Sequence, residues 1–133
     1  MSFLDTSFVI DLLREEKRRT YGPGHRKLEN LQDDPVRLSM FVVCELEAGV
    51  ALATSMKERS RIDLLFQHCE ILYPDQRLPE TYGKLLAHLQ NQGTPIGLMD
   101  LLIGTHALLY DEVLITRNLK DFKKIPNLRI ESY

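Results

Sequence analysis

The sequence holds only two cysteines, Cys44 and Cys69. They stand far apart, with no CxxC spacing and no matching pair of histidines, which argues against a zinc knuckle and against a disulfide framework. Both are expected to be small buried hydrophobes, the usual fate of a free cysteine. A marked excess of either charge is lacking too. The formal net charge is −2, so no global positive field draws in nucleic acid, and any such activity must rest on local patches and on metal ions. No apolar run approaches the roughly 20 residues needed to span a bilayer. The start, Met1-Ser2-Phe3-Leu4-Asp5, lacks the basic stretch and long apolar core of a signal peptide, so a cytoplasmic protein is expected. Repeats, linkers and low-complexity segments are absent, and 133 residues suit one ordinary domain spanning 1–133. A hydrophobic fraction of 44% and a charged fraction of 27% are those of a globular protein rather than a disordered or fibrous one.

What is present alternates in character. Phe3-Leu4-Asp5-Thr6 is a short apolar run ending in an acid and a hydroxyl, a buried strand handing over to a helix in which Phe8, Val9, Leu12 and Leu13 recur at helical spacing. Tyr21-Gly22-Pro23-Gly24 marks a turn, and Leu28 and Leu31 a modest helix. Val36 to Val43 reads as a strand passing into the helix-favouring Glu45-Leu46-Glu47-Ala48. An amphipathic helix from Ser55 to His68, a strand from Cys69 to Tyr73, helices over Leu78 to Gln92 and Met99 to Tyr110, a strand over Glu112 to Thr116, a polar turn and a last strand at Leu128 to Ile130 complete the pattern. Strands alternating with helices imply an α/β fold with a mostly parallel central sheet, because parallel strands need crossover helices.

Three acids stand out. Asp5 closes the first strand, Glu45 follows the second, and Asp100 opens an apolar helix. Each sits beside residues expected to be buried, and a buried charge without a partner costs several kcal/mol. Helix capping would satisfy Asp5 and Asp100. A hard divalent cation would satisfy all three at once, since Mg²⁺ and Mn²⁺ prefer carboxylate oxygens and water. Acids at strand ends of one parallel sheet lie where such sheets bind ligands, and such a cluster suits metal-assisted phosphodiester chemistry.

Four segments carry a resemblance along the whole chain. Phe3-Leu4-Asp5-Thr6-Ser7, Cys44-Glu45-Leu46-Glu47-Ala48-Gly49, Ile96-Gly97-Leu98-Met99-Asp100-Leu101-Leu102-Ile103 and Ile115-Thr116-Arg117-Asn118-Leu119-Lys120-Asp121-Phe122 resemble the ordered motifs of PIN-domain ribonucleases, in particular the compact VapC toxins of VapBC toxin–antitoxin pairs. The resemblance implies a Rossmann-like αβα sandwich, dependence on Mg²⁺ or Mn²⁺, cleavage of single-stranded or looped RNA, a homodimer and a cognate antitoxin. Asp5, Glu45 and Asp100 match the family's three core acids, and Thr6 and Thr116 match hydroxyls bordering the site. The fourth position departs: the family often has an acid directly after the Thr-Arg pair, where this chain has Asn118. Either metal binding is weaker, or Asp121 and water fill the gap.

Other residues are expected to do less. Asp11 and Glu47 read as helix surface charges, and His106 as a core or rim histidine. The basic patches Lys17-Arg18-Arg19 with Arg26-Lys27, and Arg117, Lys120, Lys123 and Lys124, read equally well as solvated surface or as nucleic-acid contacts. Ile62, Leu65, Leu85 and Leu86 are expected to supply an apolar dimer face. The competing functions are a catalytically inert RNA- or protein-binding module of the same fold, a nuclease acting on structured DNA, and a phosphatase with an aspartyl nucleophile. The phosphatase is disfavoured because Ser7, not an acid, stands two positions after Asp5.

Overall fold

The computed structural model describes residues 1–133. The opening apolar run forms β1 (Ser2–Leu4), buried at all its positions. A strand covered on both faces needs apolar residues pointing both ways, which is why this run shows no alternation. α1 (Thr6–Arg18) follows at once and buries Phe8, Val9 and Leu12 as one stripe. α2 (Pro23–Asn30) starts on a proline, whose missing N–H has no intrahelical partner to lose there. The chain continues through β2 (Val36–Ser39), α3 (Met40–Leu52), α4 (Met56–His68), β3 (Glu70–Leu72), α5 (Leu78–Asn91), α6 (Leu98–Leu109), β4 (Val113–Ile115), the one-turn α7 (Leu119–Phe122) and β5 (Ile130–Glu131).

The strands form one sheet in the order β3-β2-β1-β4-β5, parallel at every pairing. The expected α/β architecture is therefore present, with a sheet that is parallel throughout and flanked by helices. Strands are laid outward from β1 on one side, and the chain then crosses back through α5 and α6 to lay β4 and β5 on the other. The order reverses between β1 and β4, whose register sets Leu4 beside Ile115. A crevice forms outside the carboxyl ends of strands at such a reversal.

The core packs Phe3, Leu4, Phe8, Leu38, Val42, Leu101, Leu114, Ile115 and Phe122 around the sheet. His106 belongs to it, fully buried, with its ring centroid 5.4 Å from those of Phe3 and Tyr110. Its Nδ1 lies 2.6 Å from Ser39 Oγ, and burial holds its pKa below the usual histidine range. Ser39 Oγ also accepts from the Phe41 amide, capping α3. One hydroxyl thus pins the start of α3 to the last turn of α6, the two helices that carry Glu45 and Asp100.

Several expectations are corrected. The strand expected over Val36 to Val43 ends at Ser39, and Met40 begins a helix. The Ser39 cap and the burial of Val42 in the core override the strand preference of the valines. Glu45 accordingly stands inside a helix and not directly after a strand. The polar turn after Thr116 contains α7. Cys44 is exposed and Cys69 only half-buried. On α3 the buried face belongs to Val42 and Leu46, and Cys44, two residues from each, is turned roughly 200° away. Ile62 is sealed in the core, and Leu65, Leu85 and Leu86 pack half-buried against it. The exposed aliphatic side chains of α3 and α4 are instead Leu52, Met56 and Leu64. No helix is long and apolar enough to cross a membrane.

Candidate active site

Asp5 is the residue between β1 and α1. It holds the N-cap position of the helix, yet its side chain makes no capping bond. Its Oδ2 accepts instead from Ser7 Oγ at 2.8 Å and from Thr116 Oγ1 at 2.7 Å. The carboxylate is thereby tied to the end of the neighbouring strand, β4, and is 3% exposed. Glu45 reaches the same end of the sheet from the second turn of α3, where its Oε1 accepts from Thr6 Oγ1 at 2.7 Å. Asp100 lies in the first turn of α6, whose N-cap is Gly97. Its Oδ2 accepts from Asn118 Nδ2 at 3.2 Å, and the same amide nitrogen donates to Asp121 Oδ2 at 3.2 Å. Asn118 is in turn held by its backbone N–H, which donates to Thr116 Oγ1 at 2.9 Å.

Asp5, Thr6, Ser7, Ile10, Glu45, Asp100, Arg117 and Asn118 line one open cleft at the carboxyl ends of β1 and β4. The acids that are remote in sequence are therefore gathered by the topology, while Asp121 stands behind Asn118. The electrostatics register the crowding. Burial first, and then the charges of Asp5, Glu45 and Asp121, push the Asp100 carboxyl up from 3.8 to about 6, against the Asn118 amide, which favours its ionised form. Asp121 is held below the usual range by the Asn118 amide and by Lys124.

Comparison with known proteins bears on this cleft directly. The family model of the PIN domain matches residues 2–128. A curated relative, Ribonuclease VapC1 of Haemophilus influenzae, is 34% identical over 131 residues, covering 98% of this chain and 96% of the relative. The chain is a PIN domain of the VapC family. The tRNA(fMet)-specific endonuclease VapC of Salmonella typhimurium is 28% identical, over 98% of this chain and 96% of that one. Among solved structures, VapBC2 of Rickettsia felis, bound to a DNA fragment from its promoter, superposes with a TM-score of 0.90 at 29% identity, over 99% of this chain and 98% of that chain.

The donor set of this PIN domain suits a hard divalent ion, since every side-chain ligand on offer is an oxygen. Asp5, Glu45 and Asp100 each have one oxygen engaged by a neighbour and leave Asp5 Oδ1, Glu45 Oε2 and Asp100 Oδ1 free of protein donors. The expected convergence to metal-bridging reach is met only at the level of the cleft. No three of the chain's Asp, Glu, His or Cys side chains are set closely enough to form a ready ligand shell. Mutual repulsion and the hydroxyl tethers account for the spacing, because like charges gain by separating until a cation joins them.

Ser7 and Asp11 were given no site role by the sequence, and Arg117 stood there only as one member of a basic patch. Ser7 bridges Asp5 and the Arg117 backbone, its Oγ donating to the carboxylate and accepting from the Arg117 N–H at 3.1 Å. Arg117 is the one cationic side chain lining the cleft. Asp11 is no plain surface charge: it takes Arg117 Nη1 on both carboxylate oxygens at 3.0 Å, Arg14 at 3.6 Å and the Tyr133 hydroxyl. Asp11, Arg14 and Arg18 share a face of α1 at helical spacing, a signal available in the sequence only to a reader who already knew that Arg117 approaches that face. Glu47, by contrast, is the surface charge expected, paired with Arg59.

Proposed function

We propose that this PIN domain is a divalent-metal-dependent endoribonuclease, the toxin half of a toxin–antitoxin pair, in which Asp5, Glu45 and Asp100 hold the ion. The observation that carries the reading is the meeting of these acids, from the β1–α1 junction, α3 and α6, in one cleft, at the cost of a carboxyl raised to about 6. A fold that tolerates such burial and crowding of carboxylates without a structural return points to a ligand that relieves it. Mg²⁺ or Mn²⁺ fits the oxygen donors. When bound, the ion supplies charge neutralisation and Lewis acidity at the phosphodiester.

The residues of the chain supply orientation. Thr116 and Ser7 fix the Asp5 carboxylate, Thr6 fixes Glu45, and Asn118 holds Asp100 and Asp121 on a shared amide. The oxygens left without protein donors then have little freedom to lose on binding, which is how a preorganised site gains affinity. Asn118 brings no charge, so Asp121 is the residue to provide a fourth. RNA as the substrate, single-stranded or looped, rests on the ribonuclease relatives, and the Salmonella relative directs attention to tRNA. A cognate antitoxin and a homodimer are the proposed partners, with Leu52, Met56 and Leu64 as the exposed apolar area available to an interface.

The test is cleavage of end-labelled single-stranded RNA and of tRNA in Mn²⁺, in Mg²⁺ and in EDTA, by the wild type and by Asp100→Asn. Cleavage confined to the wild type with metal is expected. Cleavage in EDTA, or undiminished by Asp100→Asn, contradicts the metal reading. RNA binding with no cleavage under any condition favours an inert binding module.

A further inference from the structure

The cleft presents a difficulty to a polyanionic substrate: it is lined by Asp5, Glu45 and Asp100 against one cation, Arg117. The backbone of Arg117 is tied into the site, its N–H donating to Ser7 Oγ, and Ser7 in turn donates to Asp5. Its side chain is 60% exposed. Only Nη1 is engaged, by both oxygens of Asp11, which leaves the Nε and Nη2 donors for a ligand. A guanidinium held by one corner with its remaining N–H groups in solvent is a fork for a phosphate, since Arg matches two phosphate oxygens with parallel donors. Asp11 is itself fixed, with Tyr133 donating to it and Tyr133 packed edge-on against the buried Phe8 at 4.7 Å between centroids.

Resting on the ribonuclease reading above, we propose that Arg117 grips an RNA phosphate at the rim of the acidic cleft, and that Asp11 is the positioning residue that aims it. Arg117 sets the register of the strand so that the bond to be cut lies over the acids. Asp11 touches no substrate. It holds the guanidinium in one orientation, so that less freedom is lost when the phosphate arrives.

The two roles separate by sign. If Asp11 were only a negative charge near the path of the RNA, Asp11→Asn would tighten RNA binding and speed cleavage. If it aims Arg117, Asp11→Asn lowers kcat/KM while overall RNA affinity holds or rises. The experiment measures steady-state cleavage of a short single-stranded oligoribonucleotide in Mn²⁺ by the wild type, Asp11→Asn, Arg117→Ala, Arg117→Lys and the Asp11→Asn/Arg117→Ala double variant. The salt dependence of binding is followed by fluorescence anisotropy on an Asp100→Asn background, with melting curves as the control for folding. Arg117→Ala is expected to lower kcat/KM about tenfold to a hundredfold, the size of a lost charged hydrogen bond, and to flatten the slope of log K against log salt by about 0.7, one phosphate contact. Arg117→Lys should restore the slope but not the cleavage. The double variant should be no worse than Arg117→Ala. Faster cleavage by Asp11→Asn, or an Arg117→Ala variant with unchanged slope and unchanged cleavage, overturns the proposal while the nuclease reading stands. A folded wild type that neither binds nor cleaves RNA overturns both.

Discussion

Asp100→Asn should stabilise the metal-free protein, and the gain should depend on pH in a defined direction. In the folded chain the Asp100 carboxyl is raised from 3.8 to about 6 by burial and by Asp5, Glu45 and Asp121. Between those two values the folded state holds a proton that the unfolded state has released, so stability falls as pH rises through this window and levels off above it. Fully expressed, the shift corresponds to about 3 kcal/mol. The cleft is open to water, which screens the charges, so roughly half of that, ~1–2 kcal/mol, is expected to survive. The amide keeps the shape of the side chain and can still accept from Asn118, so the variant removes the buried charge, with its desolvation and its repulsion, and little else. For a chain of this length ~1–2 kcal/mol is a rise of roughly 3–8 °C in melting temperature. Thermal unfolding in EDTA at pH 8 should show that rise, and at pH 4 the two proteins should melt nearly together. His106, held below its ordinary pKa by burial, loses stability as pH falls, but it is common to both proteins and cancels in the difference. Millimolar Mn²⁺ should reverse the order by stabilising the wild type selectively. A variant less stable than the wild type in EDTA at pH 8 would refute the claim that the Asp100 carboxylate is an uncompensated charge, part-buried among like charges.

Asn118→Asp puts a further carboxylate between Asp100 and Asp121 and deletes their shared donor, so the metal-free protein should melt lower and its shift in Mn²⁺ should grow; Asp121→Asn should shrink that shift if Asp121 serves as the fourth acid. Glu15 is pushed up by burial, but donors from His25, Gly24 and Gly22 outweigh this and hold it at about 2. Its contribution is therefore present above about 4.5 and lost as pH falls toward 2, and Glu15→Gln should cost about 2 kcal/mol at pH 7 and move the acid-unfolding midpoint, as read by circular dichroism. Gly104→Ala should destabilise by about 1–2 kcal/mol in urea titration, because the new Cβ would lie 2.4 Å from Ile125 Cδ1, and such overpacking exceeds the gain of about 1 kcal/mol in helix propensity.

The parallel α/β sheet was legible because buried strands and amphipathic helices leave different periods in the sequence, and Phe3-Leu4 and the Leu85–Leu89 stripe are plain cases. The boundary at Ser39 was not legible. Val36, Val42 and Val43 put β-branched residues at both ends of the segment, whereas the Ser39 cap, the pairing of Ser39 with His106 and the burial of Val42 start the helix early. Asp5, Glu45 and Asp100 announced themselves as charges in apolar company. Asp11 and Ser7 did not, because each looks like an ordinary polar residue on its own segment, and Arg117 showed only as part of a basic patch; their roles come from contacts across more than a hundred residues. The exposure of Cys44 was not legible for a similar reason: it depends on which face of α3 meets the core, and that face follows from a strand that ends at Ser39.

The central claim is that three acids on separate elements act as one metal centre, and calorimetric titration of Mn²⁺ into the wild type, Asp5→Asn, Glu45→Gln and Asp100→Asn tests it most directly. The account predicts saturable binding by the wild type and at least tenfold weaker binding in each variant, with the folds intact by circular dichroism. Binding that survives unchanged in any one of the three, or a wild type that takes up no Mn²⁺ at millimolar concentration, would contradict it.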